Sequence, residues 1–326
     1  MEKNESKCFI RLGSSKNLVF VLIFFMIEKN KMKSGFINII GSPNAGKSTL
    51  LNALMQDKWA ITSPKPQTTR QRLLVVRNEG DNQFIFSDSP GYIASASYKL
   101  HHAMNNEIEG MKNDADVFLL VIDPTDKHGI HPYLVNMLKK SEVPAIIIIN
   151  KIDIANSEQI QNLKQELQKL ELGDNVYEMS ALSQEAIEPL LQKLSDFLPE
   201  HPFYFDSETS SDKSVRFFIA ELIREKIFQL FSDEIPYSVI VSVDSCKGVD
   251  DNSEMAKIEA RIFVNKSSQL AIIVGKNGAK IKELGIQSRL EIEKFLRQKV
   301  HLGLTAKLKE NWREDQSFIT KIGMKP

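Results

Sequence analysis

The chain has 326 residues, 42% of them hydrophobic and 26% charged. This describes a soluble globular protein with core enough for about two domains. Its 42 Lys and Arg balance 42 Asp and Glu, so overall charge argues for no particular partner. The only cysteines are Cys8 and Cys246, with no Cys-x-x-Cys and no His/Cys cluster. That excludes a disulfide framework, argues against a zinc site, and fits a reducing cytoplasmic compartment.

Residues 1–31 stand apart. The stretch 18–27, Leu-Val-Phe-Val-Leu-Ile-Phe-Phe-Met-Ile, is apolar throughout and is preceded by Lys16. Spanning a bilayer takes about 20 such residues, and no small-x-small cleavage site follows to complete a signal peptide. The segment is expected to lie outside the fold, as an extension or as a mis-assigned start upstream of Met32. A packing role, or peripheral contact with the inner face of the cell membrane, is its alternative role.

From 33 to 198 short apolar runs alternate with helical periods. Buried strands are predicted at 36–40, 83–86, 117–122, 145–149 and 176–179. Ile160, Leu163, Leu167 and Leu170 recur at spacings of three and four, as do Leu190, Leu194 and Phe197; both faces read as core. The alternation predicts a doubly wound, mainly parallel α/β sheet, with its ligand beyond the carboxyl ends of the strands.

The first such end is followed by Gly41-Ser42-Pro43-Asn44-Ala45-Gly46-Lys47-Ser48-Thr49, a complete G-x-x-x-x-G-K-[ST]. A strand must turn into a helix around a phosphate group, and glycine allows both the positive φ and the close backbone approach. Backbone N–H groups at the new helix then face the anion. Lys47 is placed for the β/γ-phosphates and the Ser48 hydroxyl for Mg²⁺.

Downstream, 64–70 reads Pro-Lys-Pro-Gln-Thr-Thr-Arg. A threonine hydroxyl here can bind Mg²⁺ and its N–H the γ-phosphate, making the segment an order–disorder switch. Thr68 and Thr69 both qualify; Thr69 is favoured. Asp88-Ser89-Pro90-Gly91 supplies a carboxylate for the metal shell and a Gly91 N–H for the γ-phosphate; alone this D-x-x-G is a common turn. Asn150-Lys151-Ile152-Asp153 is the most discriminating motif. The Asp153 carboxylate can accept two hydrogen bonds from the N1–H and N2–H₂ edge of guanine, which adenine cannot offer. Asn150 can brace the loops, and the Lys151 stem can lie along the base. Ser180-Ala181 then offers backbone N–H to the guanine O6.

These motifs, the Thr-Thr-Arg switch and the Gly91-Tyr92 pair resemble the Era family of bacterial GTPases, in the TrmE–Era–EngA group of the translation-factor class. The resemblance runs from about Lys33 to the C-terminus. It implies GTP/GDP and Mg²⁺ as ligands and hydrolysis of GTP. Tyr92 occupies the place of the water-orienting glutamine of Ras-like proteins, so intrinsic turnover is expected to be slow. Asn44 resembles the residue that helps hold K⁺ in potassium-dependent members of the group.

Leu198-Pro199-Glu200-His201-Pro202 ends the alternation, since two prolines in four positions cannot continue a helix. The predicted division is a GTPase domain over 32–198, a linker over 199–212 and a second domain over 213–326. In the second domain a helix is predicted at 215–231, strands at 237–243 and 257–264, then helices around Gly275-Lys276-Asn277-Gly278. G-x-x-G with Lys276 and Lys280 resembles the clamp of a KH domain, where glycines admit a sugar-phosphate backbone and lysines neutralise it. Between Lys266 and Lys309, ten Lys and Arg face three Asp and Glu, a local basic bias hidden in the neutral total. The α-β-β-α-α-β order indicates the α+β type II fold. The resemblance implies an RNA partner, the 3′ end of small-subunit ribosomal RNA, and a role in maturing the small ribosomal subunit. No DNA partner is expected. A nucleotide-dependent RNA-binding scaffold without useful turnover is the alternative.

Overall fold

A computed structural model describes residues 32–93, 96–249 and 254–324; the apolar stretch 18–27 and all of 1–31 lie outside them. The first half is one six-stranded sheet in the order β2-β3-β1-β4-β5-β6. Its strands are β1 (Lys33–Ile40), β2 (Leu73–Glu79), β3 (Asn82–Asp88), β4 (Val117–Ile122), β5 (Ala145–Ile149) and β6 (Val176–Glu178). All neighbours pair parallel except β2, which runs antiparallel to β3. Helices α1 (Lys47–Met55), α2 (Lys99–Gly110), α3 (Pro132–Lys139) and α4 (Ser157–Lys169) connect them, and α5 (Ile187–Phe197) follows β6. The β4 run Val-Phe-Leu-Leu-Val-Ile is buried at every position, as a strand covered on both faces by helices must be.

Strand β2 escaped the sequence reading. Leu-Leu-Val-Val-Arg-Asn-Glu is apolar over its first four residues and polar or charged over its last three, which suits an edge strand rather than a buried one. Its outer edge is covered by the chain that follows α5. Val75 bridges Ser211 antiparallel, Val76 N–H donates to Ser210 O at 3.0 Å, and Ser211 Oγ donates to Leu74 O at 2.6 Å.

The second half runs α6 (Val215–Leu230), α7 (Ile235–Ser238), β7 (Val239–Lys247), β8 (Met255–Val264), α8 (Ser267–Val274), α9 (Ala279–Leu296), β9 (Lys299–Leu308) and α10 (Gln316–Lys321). Strand β7 pairs antiparallel with β8, and β8 parallel with β9. The predicted strand start at 237 is corrected: Tyr237 and Ser238 belong to the helical turn α7, begun by Ile235-Pro236, because Pro at the first turn suits a helix. Ile219, Ile223, Ile227, Ile258, Ile262, Ile273 and Leu284 share one core.

The halves meet along the switch. Lys65 Nζ donates to Phe228 O and Phe231 O, both at 2.6 Å, where a helix C-terminus favours a cation. Arg70, 3% exposed, donates to Val239 O at 2.6 Å, Pro236 O at 3.1 Å and Tyr237 O at 3.2 Å. Buried Arg224 donates to Thr68 O, and Lys58 pairs with buried Glu225 at 2.6 Å. A second contact joins α2 to the chain end. Leu100, Ala103 and Met104 share a cluster with Ile240, Trp312, Ile319 and Met324, and Trp312 Nε1 donates to Ser238 O at 3.0 Å. No helix among the described residues is long and apolar enough to cross a membrane.

Candidate functional site

Strand β1 ends in the loop that holds the first motif. Gly41 has φ +153°, and a Cβ there would lie 2.3 Å from Val121 O; Gly46 has φ +99°, and a Cβ would lie 2.2 Å from Asn150 Nδ2. Both positions therefore demand glycine, for conformation and for space. Asn44 adopts φ +63°, tolerable for asparagine. Helix α1 starts at Lys47 with no side-chain cap and no acidic residue in its first turn, leaving the N–H groups over 46–49 to face an anion. Lys47 is buried and donates to Gly41 O at 3.1 Å and Ser42 O at 2.9 Å. Burial pushes its ammonium down to about 8, with Asp88 opposing.

Three oxygens converge beside it. Ser48 Oγ donates to Asp88 Oδ2 at 2.7 Å, Ser48 Oγ and Thr69 Oγ1 are 2.9 Å apart, and Thr69 Oγ1 donates to Asp88 Oδ2 at 3.2 Å. The other carboxylate oxygen, Asp88 Oδ1, is buried without a hydrogen-bond partner among the described residues. Burial raises the Asp88 pKa, with Lys47 and the Ser48 and Thr69 hydroxyls opposing. A buried carboxylate oxygen without a partner is costly, and a hard oxygen set of this kind fits Mg²⁺. Thr68 is turned elsewhere, its hydroxyl donating to Lys65 O at 2.7 Å. Gly91 lies flat on the phosphate loop, since a Cβ there would stand 2.8 Å from Pro43 Cγ. The Tyr92 ring is stacked on Tyr133, centroids 4.2 Å apart and planes 8° apart, and so is engaged with α3.

At the other end Asn150 ties two loops together. Its Nδ2 donates to Ala45 O at 2.9 Å and its Oδ1 accepts from Ala181 N–H at 2.9 Å. Lys151 has φ +59°, and its Nζ pairs with Asp123 Oδ2 at 2.7 Å. Ser180 Oγ accepts from Leu182 N–H at 3.3 Å, shaping the turn after β6. An open cleft of about 1100 Å³ runs from the phosphate loop past Thr62–Thr69 to Asp123, Thr125 and Lys151. Asp153 is exposed; it, Ser180 and Ala181 are not among the residues lining that cleft. The sequence reading missed Asp123 and Thr125. Their one signal was an acidic residue directly after a buried strand.

The second motif lies between α8 and α9. Gly275, Asn277 and Gly278 adopt φ of +70°, +52° and +77°, and a Cβ on Gly275 would meet Lys280 Cβ at 2.7 Å. Lys276, Asn277 and Lys280 are exposed there, next to Ile272, an exposed apolar side chain. A backbone turned three times into the left-handed region, flanked by exposed lysines, can admit and neutralise a phosphodiester chain.

Comparisons with known proteins find a GTPase domain and a KH domain. Residues 36–151 match the family model described as 50S ribosome-binding GTPase, and 234–313 the KH domain model. The chain is 41% identical over 294 residues to GTPase Era of Syntrophus aciditrophicus, covering 89% of this chain and 95% of that relative. It is 39% identical over 297 residues to GTPase Era of Lactobacillus helveticus, covering 91% and 98%. Among solved structures, Era in complex with MgGDPNP and nucleotides 1506–1542 of 16S ribosomal RNA superimposes with TM-score 0.83 at 35% identity, over 90% of this chain and 99% of that one. A variant of Aquifex aeolicus Era bound to GDP·AlF₄⁻ gives 0.82 at 34%, over 90% and 99%. With this identity spread along nearly the whole length of its relatives, the chain belongs to the Era family of GTPases.

Proposed function

We propose that this protein is a GTP-hydrolysing switch that binds the 3′ end of small-subunit ribosomal RNA and assists maturation of the small ribosomal subunit. The observation that carries the reading is the convergence of Ser48, Thr69 and Asp88 beside Lys47, on a chain that also bears the Gly275–Gly278 turn. The relative solved with MgGDPNP and 16S ribosomal RNA supports the pairing of ligands. The division taken is 32–198 for GTPase, 199–212 for linker and 213–326 for KH domain.

In this reading Lys47 stabilises charge on the β- and γ-phosphates, and the N–H groups of Gly46, Lys47, Ser48 and Thr49 cradle them. Ser48, Thr69 and Asp88 would hold Mg²⁺, which neutralises phosphate charge when bound. Gly91 N–H faces the γ-phosphate. Asp153 selects guanine, Lys151 floors the base, and Ala181 N–H meets O6. Water attacks the γ-phosphate directly, with no covalent enzyme intermediate. Tyr92, held on Tyr133, lacks the glutamine amide that orients this water in Ras-like proteins, so intrinsic turnover is slow. Asn44 is the position for a K⁺ beside the phosphates. The protein works in the cytoplasm, with 1–31 as the segment for any peripheral contact at the membrane's inner face.

Steady-state GTP hydrolysis, with and without the ribosomal RNA 3′ segment and with K⁺ or Na⁺, tests the reading. Turnover stimulated by RNA supports it. RNA binding that responds to nucleotide, with no turnover under any condition, favours a scaffold instead.

A further inference from the structure

The end of β4 and the loop after β5 are joined by backbone and by charge. Asn150 N–H donates to Ile122 O at 2.8 Å, which sets Asp123 and Lys151 side by side. Asp123 Oδ2 takes the Lys151 ammonium at 2.7 Å. Its Oδ1 is occupied by Thr125, accepting from the hydroxyl at 2.6 Å and the backbone N–H at 2.8 Å. The Asp123 side chain is 11% exposed and the Lys151 side chain 31%. Lys151 is thus constrained at both ends, by a left-handed backbone and by a carboxylate that is itself fixed. A free lysine stem loses substantial rotamer freedom on meeting a ligand; this one has already lost it.

We propose that Asp123, locked by Thr125, is the positioning residue that pre-organises the Lys151 stem as the floor of the guanine site. In this role it acts through Lys151 and not on the base or the phosphates themselves. The proposal rests on the reading of Asn150–Asp153 as the base-recognition loop. Burial pushes the Asp123 carboxyl up, but the Lys151 and Thr125 hydrogen bonds outweigh it and hold the group ionised below its ordinary range. An ion pair with one partner a third exposed is by itself worth little. Pre-organisation, by contrast, is felt when ligand binds.

The test is the release rate of a fluorescent N-methylanthraniloyl-GDP from the full chain, with steady-state kcat and KM for GTP. Asp123→Asn keeps an acceptor for Thr125 but removes the charge opposite Lys151. It is expected to speed release by roughly ten- to a hundredfold and raise KM to match, with kcat little changed. Thr125→Val moves release the same way by less. In a Lys151→Met background, Asp123→Asn adds nothing further. Unchanged release in Asp123→Asn overturns the proposal, as does an equal effect with and without Lys151. Thermal melting of each variant shows that the comparison is between folded proteins. Asp153→Asn is the separate control: a shift toward xanthine nucleotide upholds the base-loop reading whatever Asp123 does, and no shift removes that reading itself.

Discussion

Arg70 and Val239 are joined by a 2.6 Å hydrogen bond between a guanidinium next to the switch threonine and the first carbonyl of the KH sheet. The same guanidinium reaches Pro236 O and Tyr237 O. Arg70→Ala strips the donor from these carbonyls and costs about 1–3 kcal/mol in chemical denaturation. If switch order reaches RNA through this contact, the ratio of RNA affinities with GTP analogue and GDP falls toward one. Arg70→Lys keeps the charge without the planar fork and recovers only part of the ratio. An unaltered ratio in Arg70→Ala would falsify this route.

Asp88 has a carboxylate oxygen with no hydrogen-bond partner among the described residues, so the metal prediction is direct. Chelation with EDTA speeds GDP release from the native protein. Asp88→Asn lowers hydrolysis about a hundredfold, and its GDP release no longer responds to EDTA. A variant that still responds fully would show that Asp88 is not in the metal shell.

The glycines separate by space. Gly46→Ala combines φ +99° with a Cβ 2.2 Å from Asn150 Nδ2, and nucleotide binding is lost. Gly275→Ala meets Lys280 at 2.7 Å, whereas a Cβ on Gly278 has nothing within 4 Å. Gly278→Ala therefore bears only left-handed backbone strain, about 1–2 kcal/mol. Gel-shift titration with single-stranded RNA should rank Gly275→Ala well below Gly278→Ala.

His101 lies in α2 against the chain end, its Nδ1 accepting the Ser97 N–H at 3.3 Å. Burial lowers its pKa, reinforced by Arg313, Arg70 and His102, with Glu314 opposing. The folded state then binds fewer protons than the unfolded chain, so this residue's contribution is complete above about pH 6.5. It is lost as pH falls through the depressed value. Melting temperature between pH 7 and 5 should fall more for the native chain than for His101→Gln; parallel profiles would remove His101 from the account.

How much of this was legible follows from what each residue needs. The phosphate loop, Asp88-x-x-Gly91 and Asn150–Asp153 could be read because their chemistry demands fixed residue types at fixed short spacings. Thr69 could be favoured over Thr68 but not separated from it, since adjacent threonines differ only once the chain turns; the geometry sets Thr69 toward Ser48 and Thr68 toward Lys65. Strand β2 was missed because an edge strand has one neighbour and a diluted apolar pattern. The partners of Lys65, Arg70 and Arg224 could not be read, for they are backbone carbonyls more than 150 positions away, and carbonyls have no sequence identity. Asp123 was hidden by the same distance effect, 28 residues from Lys151.

The chain at 210–212 that lies along β2 has a bearing on solubility. β2 would otherwise present a row of unpaired backbone groups to any other extended chain. Ser210 and Ser211 occupy part of that row, so the connector between the two halves also serves as a guard against edge-to-edge assembly. Cutting or stiffening this short segment, for example by Ser211→Pro, should therefore first show as concentration-dependent oligomers in light scattering, before the chemistry of either half changes.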